Sequence, residues 1–161
     1  MPVPHDVIEV ERALARIAHL LNRARQHDHI AAEAGVPVDR AAVPILRRLA
    51  ESGPARPGDL AAWLAVEAPH VTRQVQRLES AGYVVRVPDP GDRRAYRVRL
   101  TGAGQEAIDR VLDAARQSIW DALGAWSPDE REQLATLFHR MVDDFARHAV
   151  SCHRARGAGA R

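Results

Sequence analysis

The chain has 161 residues, 46% apolar and 27% charged, with only three tryptophans, two tyrosines and two phenylalanines; this implies one domain, or one with helical arms, built inside from Ala, Val, Leu and Ile. Its longest apolar run, Leu60 to Val66, is far too short to cross a bilayer, and MPVPHDVIEVERA lacks the basic-then-apolar order of a secretory signal, so a cytoplasmic protein with no membrane partner is expected. The lone Cys152 excludes an internal disulfide framework, and the formal net charge of +2 conceals a basic middle: eleven arginines against seven acids over residues 36–101, twelve against fourteen elsewhere.

Taken in chain order, residues 6–34 read as a long helix, with Val7, Ile8, Val10, Leu14, Ile17, Ala18 and Leu21 at mostly helical spacing. Gly35 and Pro37 end it. A second helix is expected from Asp39, as N-cap, to Glu51, with Val43, Leu46 and Leu49 on one face and Pro44 confined to the first turn. The stretch SGPARPG is a loop with a short extended piece around Ala55 and Arg56.

A short helix over 58–65 and another over 68–81 follow, joined by a tight turn, with Gly82 placed as a left-handed cap. Val71, Val75 and Leu78 give the second of these one narrow docking stripe, leaving His70, Thr72, Arg73, Gln74, Gln76 and Arg77 largely to the other faces. That is a helix-turn-helix pattern. Residues 83–87 and 95–100 alternate as strands and, with the seven-residue connection between them, form a hairpin directly after the recognition helix. Thr101 caps a long helix to about Ala125. Ser127, Pro128 and Glu130 start a last one, which is expected to reach Val150 and to leave 151–161 as a disordered tail.

The fold expected is therefore mainly α with a small β-hairpin. A winged helix-turn-helix occupies 36–101, and the N- and C-terminal helices, 1–35 and 102–150, form a helical dimerisation region. Dimerisation is expected on physical grounds too, because three apolar-striped helices cannot all be covered by a middle of this size.

On the recognition helix, Arg73 and Gln74 have the chemistry to pair bidentately with guanine and adenine, while His70, Thr72 and Arg77 have reach to bases or phosphates. At the hairpin tip, Arg93 and Arg94 are candidates for the minor groove and its phosphates, where negative potential favours a guanidinium. Asp92, two residues before Arg94, is expected to hold that guanidinium extended. Arg94 is then the groove probe and Arg93 the phosphate contact, although the two roles are interchangeable at this level. An isolated DRR would be a solvated turn; its place after a helix-turn-helix reverses that reading.

The stretches VTRQVQRLESAGYV (71–84) and DPGDRRAYRVRLTGAG (89–104), with the helix order around them, resemble the MarR family of bacterial transcriptional regulators over residues 8–147. The resemblance implies a homodimeric, double-stranded-DNA-binding regulator, most often a repressor. It also implies a pseudo-palindromic operator and release by a small phenolic or acidic ligand. Arg16, His19 and Trp120 are the residues named for lining such a ligand site. Family members often carry small hydroxyl residues at the start of the recognition helix, where this chain has Glu67, Pro69 and His70, so the operator does not transfer. The rival from another class is a winged-helix protein-interaction module without DNA binding.

His29 and Glu33, with His27 and Asp28 beside them, lack a second pair at metal-ligand spacing, so no metal is expected. Cys152 has no partner thiol, and no cofactor is expected. With no phosphate loop, GxSxG or HExxH, the chain is not expected to be an enzyme.

Overall fold

The computed structural model describes residues 3–21 and 34–158, with side chains for 3–20 and 34–148. The segment HDHIAAE, with His27, Asp28, His29 and Glu33, lies outside the described residues, as does the side chain of Cys152. The helices are α1 (His5–Leu21), α2 (Val43–Ser52), α3 (Pro57–Leu64), α4 (Ala68–Ser80), α5 (Gly102–Ala122) and α6 (Pro128–Ala158), and strands β1 (Val84–Asp89) and β2 (Asp92–Leu100) stand between α4 and α5. The chain divides into two compact units, Met1–Ser118 and Ile119–Arg161.

The first unit is organised around one apolar cluster. Ile45, Leu46 and Leu49 of α2, Leu60 of α3, Val71, Val75 and Leu78 of α4, and Val84 and Val98 of the hairpin are all buried in it. Each of these comes from the apolar stripe of an amphipathic helix or the inner face of a strand, so burial follows directly from the 3.6- and 2-residue periods. The core does not stop at Thr101: Ala107, Ile108 and Val111 of α5 belong to the same cluster. The first turns of α5 thus pack as part of the winged helix.

Three local differences from the expected elements have physical reasons. Helix α2 begins at Val43, capped by Ala42, because Pro44 has no N–H to donate and must sit in the first turn. Asp39 instead closes the preceding turn, its Oδ1 accepting the Ala41 N–H at 3.1 Å. The hairpin is tighter than expected, with only Pro90 and Gly91 between the strands. Helix α6 continues past Val150 to Ala158, since Gly157 is the first helix-breaking residue it meets. Its start is the expected capping box: Glu130 N–H donates to Ser127 Oγ at 3.2 Å, and Ser127 N–H to Glu130 Oε2 at 2.7 Å. Those bonds hold the Glu130 carboxyl below its usual pKa.

Between α3 and α4, Ala65 adopts the left-handed conformation (φ 54°) that makes the turn of the helix-turn-helix. The expected extended piece is also present. Ala55 pairs with Val98 through two backbone hydrogen bonds of 3.1 and 2.8 Å, giving β2 a one-residue second neighbour just ahead of α3. No described helix is long and apolar enough to cross a membrane.

Candidate nucleic-acid interface

Helix α4 docks through Val71, Gln74, Val75 and Leu78, and its opposite face stays open to solvent. An open cavity of about 490 Å³ on that face is lined by Arg73, Gln76, Arg77, Ser80 and Ala81. His70 is exposed at the start of the helix. Thr72 is half-buried, and its hydroxyl donates back to the Ala68 carbonyl at 3.0 Å. Arg77 keeps 70% of its side chain exposed and makes only a loose 3.5 Å contact with Asp39. The outer face of α4 therefore presents two guanidiniums, an amide and a hydroxyl side by side.

Gln74 corrects the sequence reading. It is only 5% exposed, three residues after Val71 and four before Leu78, so the helical repeat turns it into the docking stripe and away from any groove. Among the described residues its buried Oε1 has no hydrogen-bond partner. Gln76, on the same face as Arg73 and Arg77, holds the exposed position that Gln74 was expected to fill.

The hairpin packs against α4. Its register runs from Val84 opposite Leu100 to Pro88 opposite Tyr96, then jumps, so that Asp89 faces Asp92. Residues 93–95 are left as an irregularity on β2, and irregularities of this kind re-aim side chains. Arg93 and Arg94 are both exposed there, and among the described residues neither guanidinium is in an ion pair. Asp92 differs from expectation: its Oδ1 accepts the backbone N–H of Arg94 at 2.9 Å, so it shapes the main chain of the turn rather than the guanidinium.

The carboxylate that organises the hairpin is Asp89, which the sequence places in the connection between the strands rather than among the groove candidates. Asp89 has no exposed side-chain surface. Its Oδ2 accepts from Arg56 Nε at 2.8 Å and Arg97 Nε at 2.7 Å, and its Oδ1 from Arg56 Nη2 at 2.8 Å. The same Oδ1 accepts the backbone N–H groups of Gly91 and Asp92 at 2.8 and 3.1 Å. Hydrogen bonds from Arg56, then from Arg97, hold the Asp89 carboxyl far below the usual carboxylate range, and the same pairing raises Arg56. The sequence signal was present in Asp-Pro-Gly, where an Asp side chain commonly accepts from the amide two residues on. Its two arginine partners, 33 and 8 residues away, had no local signal.

The residues named for a ligand site are not brought together within one unit. Arg16 and His19 are exposed on α1 of the first unit, and Trp120 belongs to the second, 58% exposed with the Arg131 guanidinium 4.8 Å from its ring centre. Among the described residues no group of three or more His, Cys, Asp or Glu is arranged to hold a metal.

The sequence pattern of the MarR family matches residues 39–96, the segment from the turn before α2 to the middle of β2. The transcriptional repressor NicR of Pseudomonas putida is 30% identical over 143 residues, which cover 87% of each chain. The chain belongs to the MarR family. The HTH-type transcriptional regulator PecS of Dickeya dadantii is 31% identical over 96 residues, 60% of this chain and 62% of its own length. Among solved structures, a MarR family protein from Bacillus stearothermophilus superposes with a TM-score of 0.80 at 23% identity, covering 91% of this chain and 99% of its own. The transcriptional regulator Tm0710 from Thermotoga maritima gives 0.61 at 28% identity, covering 87% and 96%. The chain is thus a transcriptional regulator of the MarR family with a DNA-binding winged helix-turn-helix, and α4 and the β1–β2 hairpin are its recognition helix and wing.

Proposed function

We propose that this MarR family member is a homodimeric repressor that reads a pseudo-palindromic operator. Arg73, Gln76 and Arg77 of α4, with His70 and Thr72 at its start, meet the major groove, and Arg93 and Arg94 meet the minor groove and its phosphates. The observation that carries this reading is a pair of exposed arginines on the irregular segment of β2 that, among the described residues, are in no ion pair, on the hairpin that follows a helix with a polar outer face. A guanidinium with no carboxylate partner has its donors free for phosphate or base edges.

Repression is favoured by the relative named as a repressor, which matches most of both chains. A second copy is favoured by the apolar side chains left open on the terminal helices. Val7, Val10 and Leu20 of α1 are about half exposed, and so are Val142 and Phe145 of α6. Apolar surface on this scale is ordinarily covered by a partner. A two-fold arrangement also doubles the DNA contacts at a helical-turn spacing. Release by a small phenolic or acidic ligand is part of the same proposal, and it rests on the family membership alone.

The test is duplex binding across salt concentrations by gel shift, with light scattering on the same sample. A dimer with nanomolar-range affinity and a log–log salt slope of about −0.9 per phosphate contact is expected. A strictly monomeric protein, or no retardation of any genomic fragment in dilute buffer, overturns the reading and favours an interaction module. A thermal-shift screen with aromatic acids tests the ligand, and no stabilisation by any of them counts against it.

A further inference from the structure

The wing of this chain is tied down by a carboxylate that lies behind its tip. Asp89 sits at the end of β1 with its side chain wholly enclosed, and all five of its hydrogen bonds serve one of two purposes. Two go to the amides of Gly91 and Asp92 and fix the turn from inside. The other three go to the guanidiniums of Arg56 and Arg97. Arg56 is the N-cap residue of α3, the first helix of the helix-turn-helix, while Arg97 is on β2 beside the Ala55–Val98 pairing. Three separate chain segments therefore meet on one acidic side chain.

We propose that Asp89 is the positioning residue of the wing, linking the helix-turn-helix through Arg56 to the turn that precedes Arg93 and Arg94, so that these arginines are presented at a fixed angle. Asp89 does not itself touch DNA; it acts through Arg94. The geometry gives the reason. The irregular segment 93–95 has no regular cross-strand partner in β1, so its path is set by where the turn before it begins. The turn begins at the Gly91 and Asp92 amides held by Asp89, and Asp92 passes that constraint on to the Arg94 amide. Without the carboxylate, two arginines with side chains about two-fifths exposed are left facing each other with no shared counter-charge, and the turn loses both of its internal acceptor bonds. Misplacing a contact group by about 1 Å is enough to forfeit its interaction.

This inference rests on the proposed duplex binding, and the experiment separates the two. Full-length wild type, Asp89→Ala, Arg94→Ala and the double variant are titrated against a duplex that wild type retards, after circular dichroism has shown each to be folded. Each single change is expected to weaken binding by roughly tenfold or more, and the double variant to be no weaker than Arg94→Ala by more than about twofold, since neighbours in one network are not additive. Asp89→Ala should also flatten the preference for A·T over G·C steps under the wing, which a purely global loss of stability would leave in place. If Asp89→Ala does not fold, Arg56→Met, which severs the link without altering the hairpin, is read in its place with the same expectation. Multiplicative losses, or an Asp89→Ala variant binding like wild type, overturn the positioning role. So does an Arg56→Met variant that lowers the salt slope by about 0.9 in addition to the Arg94 effect, which would make Arg56 a direct phosphate contact. Failure of wild type to bind any duplex sinks the proposed function instead, and with it the premise of the clamp.

Discussion

Thr101 Oγ1 donates a 2.6 Å hydrogen bond to the Gly82 carbonyl and accepts the Gly104 N–H at 3.0 Å, which pins the start of α5 to the end of the recognition helix. The Thr101 N–H adds a third bond, to the Tyr83 carbonyl at 3.0 Å. The approach is so close that a Cβ on Gly104 would stand 1.9 Å from the Tyr83 oxygen. Gly104→Ala must therefore move backbone against backbone, and a loss of about 2–3 kcal/mol in urea unfolding is expected. Thr101→Val, which removes cap and donor but keeps the shape, should cost about 1–2 kcal/mol. Near-wild-type midpoints for both would mean that the α4–α5 junction is looser than these distances imply.

The two glutamines of α4 should respond in opposite ways. Gln74 buries a carbonyl oxygen with no partner, and such a group costs folding energy without return. Gln74→Met keeps the length and removes the orphan, so stability should rise by about 1 kcal/mol with DNA affinity unchanged. Gln76→Ala removes an exposed amide from the outer face of α4 and, on the proposed reading, should weaken binding several-fold with no change in melting temperature. If Gln74→Met abolished binding while Gln76→Ala did not, the helix would be facing the other way.

How far these features were legible in the sequence depends on their range. Helix order, the wing, the Ser127–Glu130 cap and the Val71–Val75–Leu78 stripe are all local patterns, and each was readable. The face of Gln74 is equally legible, because a residue three after Val71 and four before Leu78 must share their side of the helix, whatever the suitability of its amide for adenine. Asp89 is a different case. Its importance comes from Arg56 and Arg97 converging on it across the hairpin and the loop before α3, and no spacing rule reports a contact between residues 33 apart. The start of α2 shows the reverse: Asp39 looked like a cap by type, yet Pro44 decided where the helix could begin.

Acid should expose the clamp. Because the folded carboxyl of Asp89 is held far below its unfolded value near 4, its contribution to stability is complete above that value and is lost as pH falls below it. The pairing that lowers Asp89 raises Arg56, so within this pair it is the carboxyl that titrates in acid. Asp89→Asn should therefore melt well below wild type at neutral pH, and the gap should narrow steadily below about pH 4. A gap that does not change with pH would remove the charge from the explanation and leave only shape.

Ala65 is the only non-glycine among the described residues with positive φ, at 54° in the turn between α3 and α4. Its Cβ crowds the following carbonyl in that conformation, a strain glycine does not have. Ala65→Gly should raise stability by up to about 1 kcal/mol, the relief being partly offset by the extra freedom of an unfolded glycine. A loss on thermal melting would show that the methyl group makes packing contacts worth more than the strain.

Arg93 and Arg94 are both exposed and, among the described residues, neither is in an ion pair, so DNA sequence is what divides their roles. An arginine in the minor groove gains from the narrow, electronegative groove of A·T-rich steps, whereas one on a phosphate gains the same from any sequence. Arg94→Ala should weaken an operator with A·T steps under the wing by roughly tenfold or more and a G·C-substituted operator far less. Arg93→Ala should weaken both equally and lower the magnitude of the salt slope by about 0.9. Neither side chain packs on the core, so dimer fraction and melting temperature should match wild type. The reverse assignment exchanges the two patterns. Equal, sequence-independent losses from both variants would place both guanidiniums on the backbone and leave sequence reading to α4 alone.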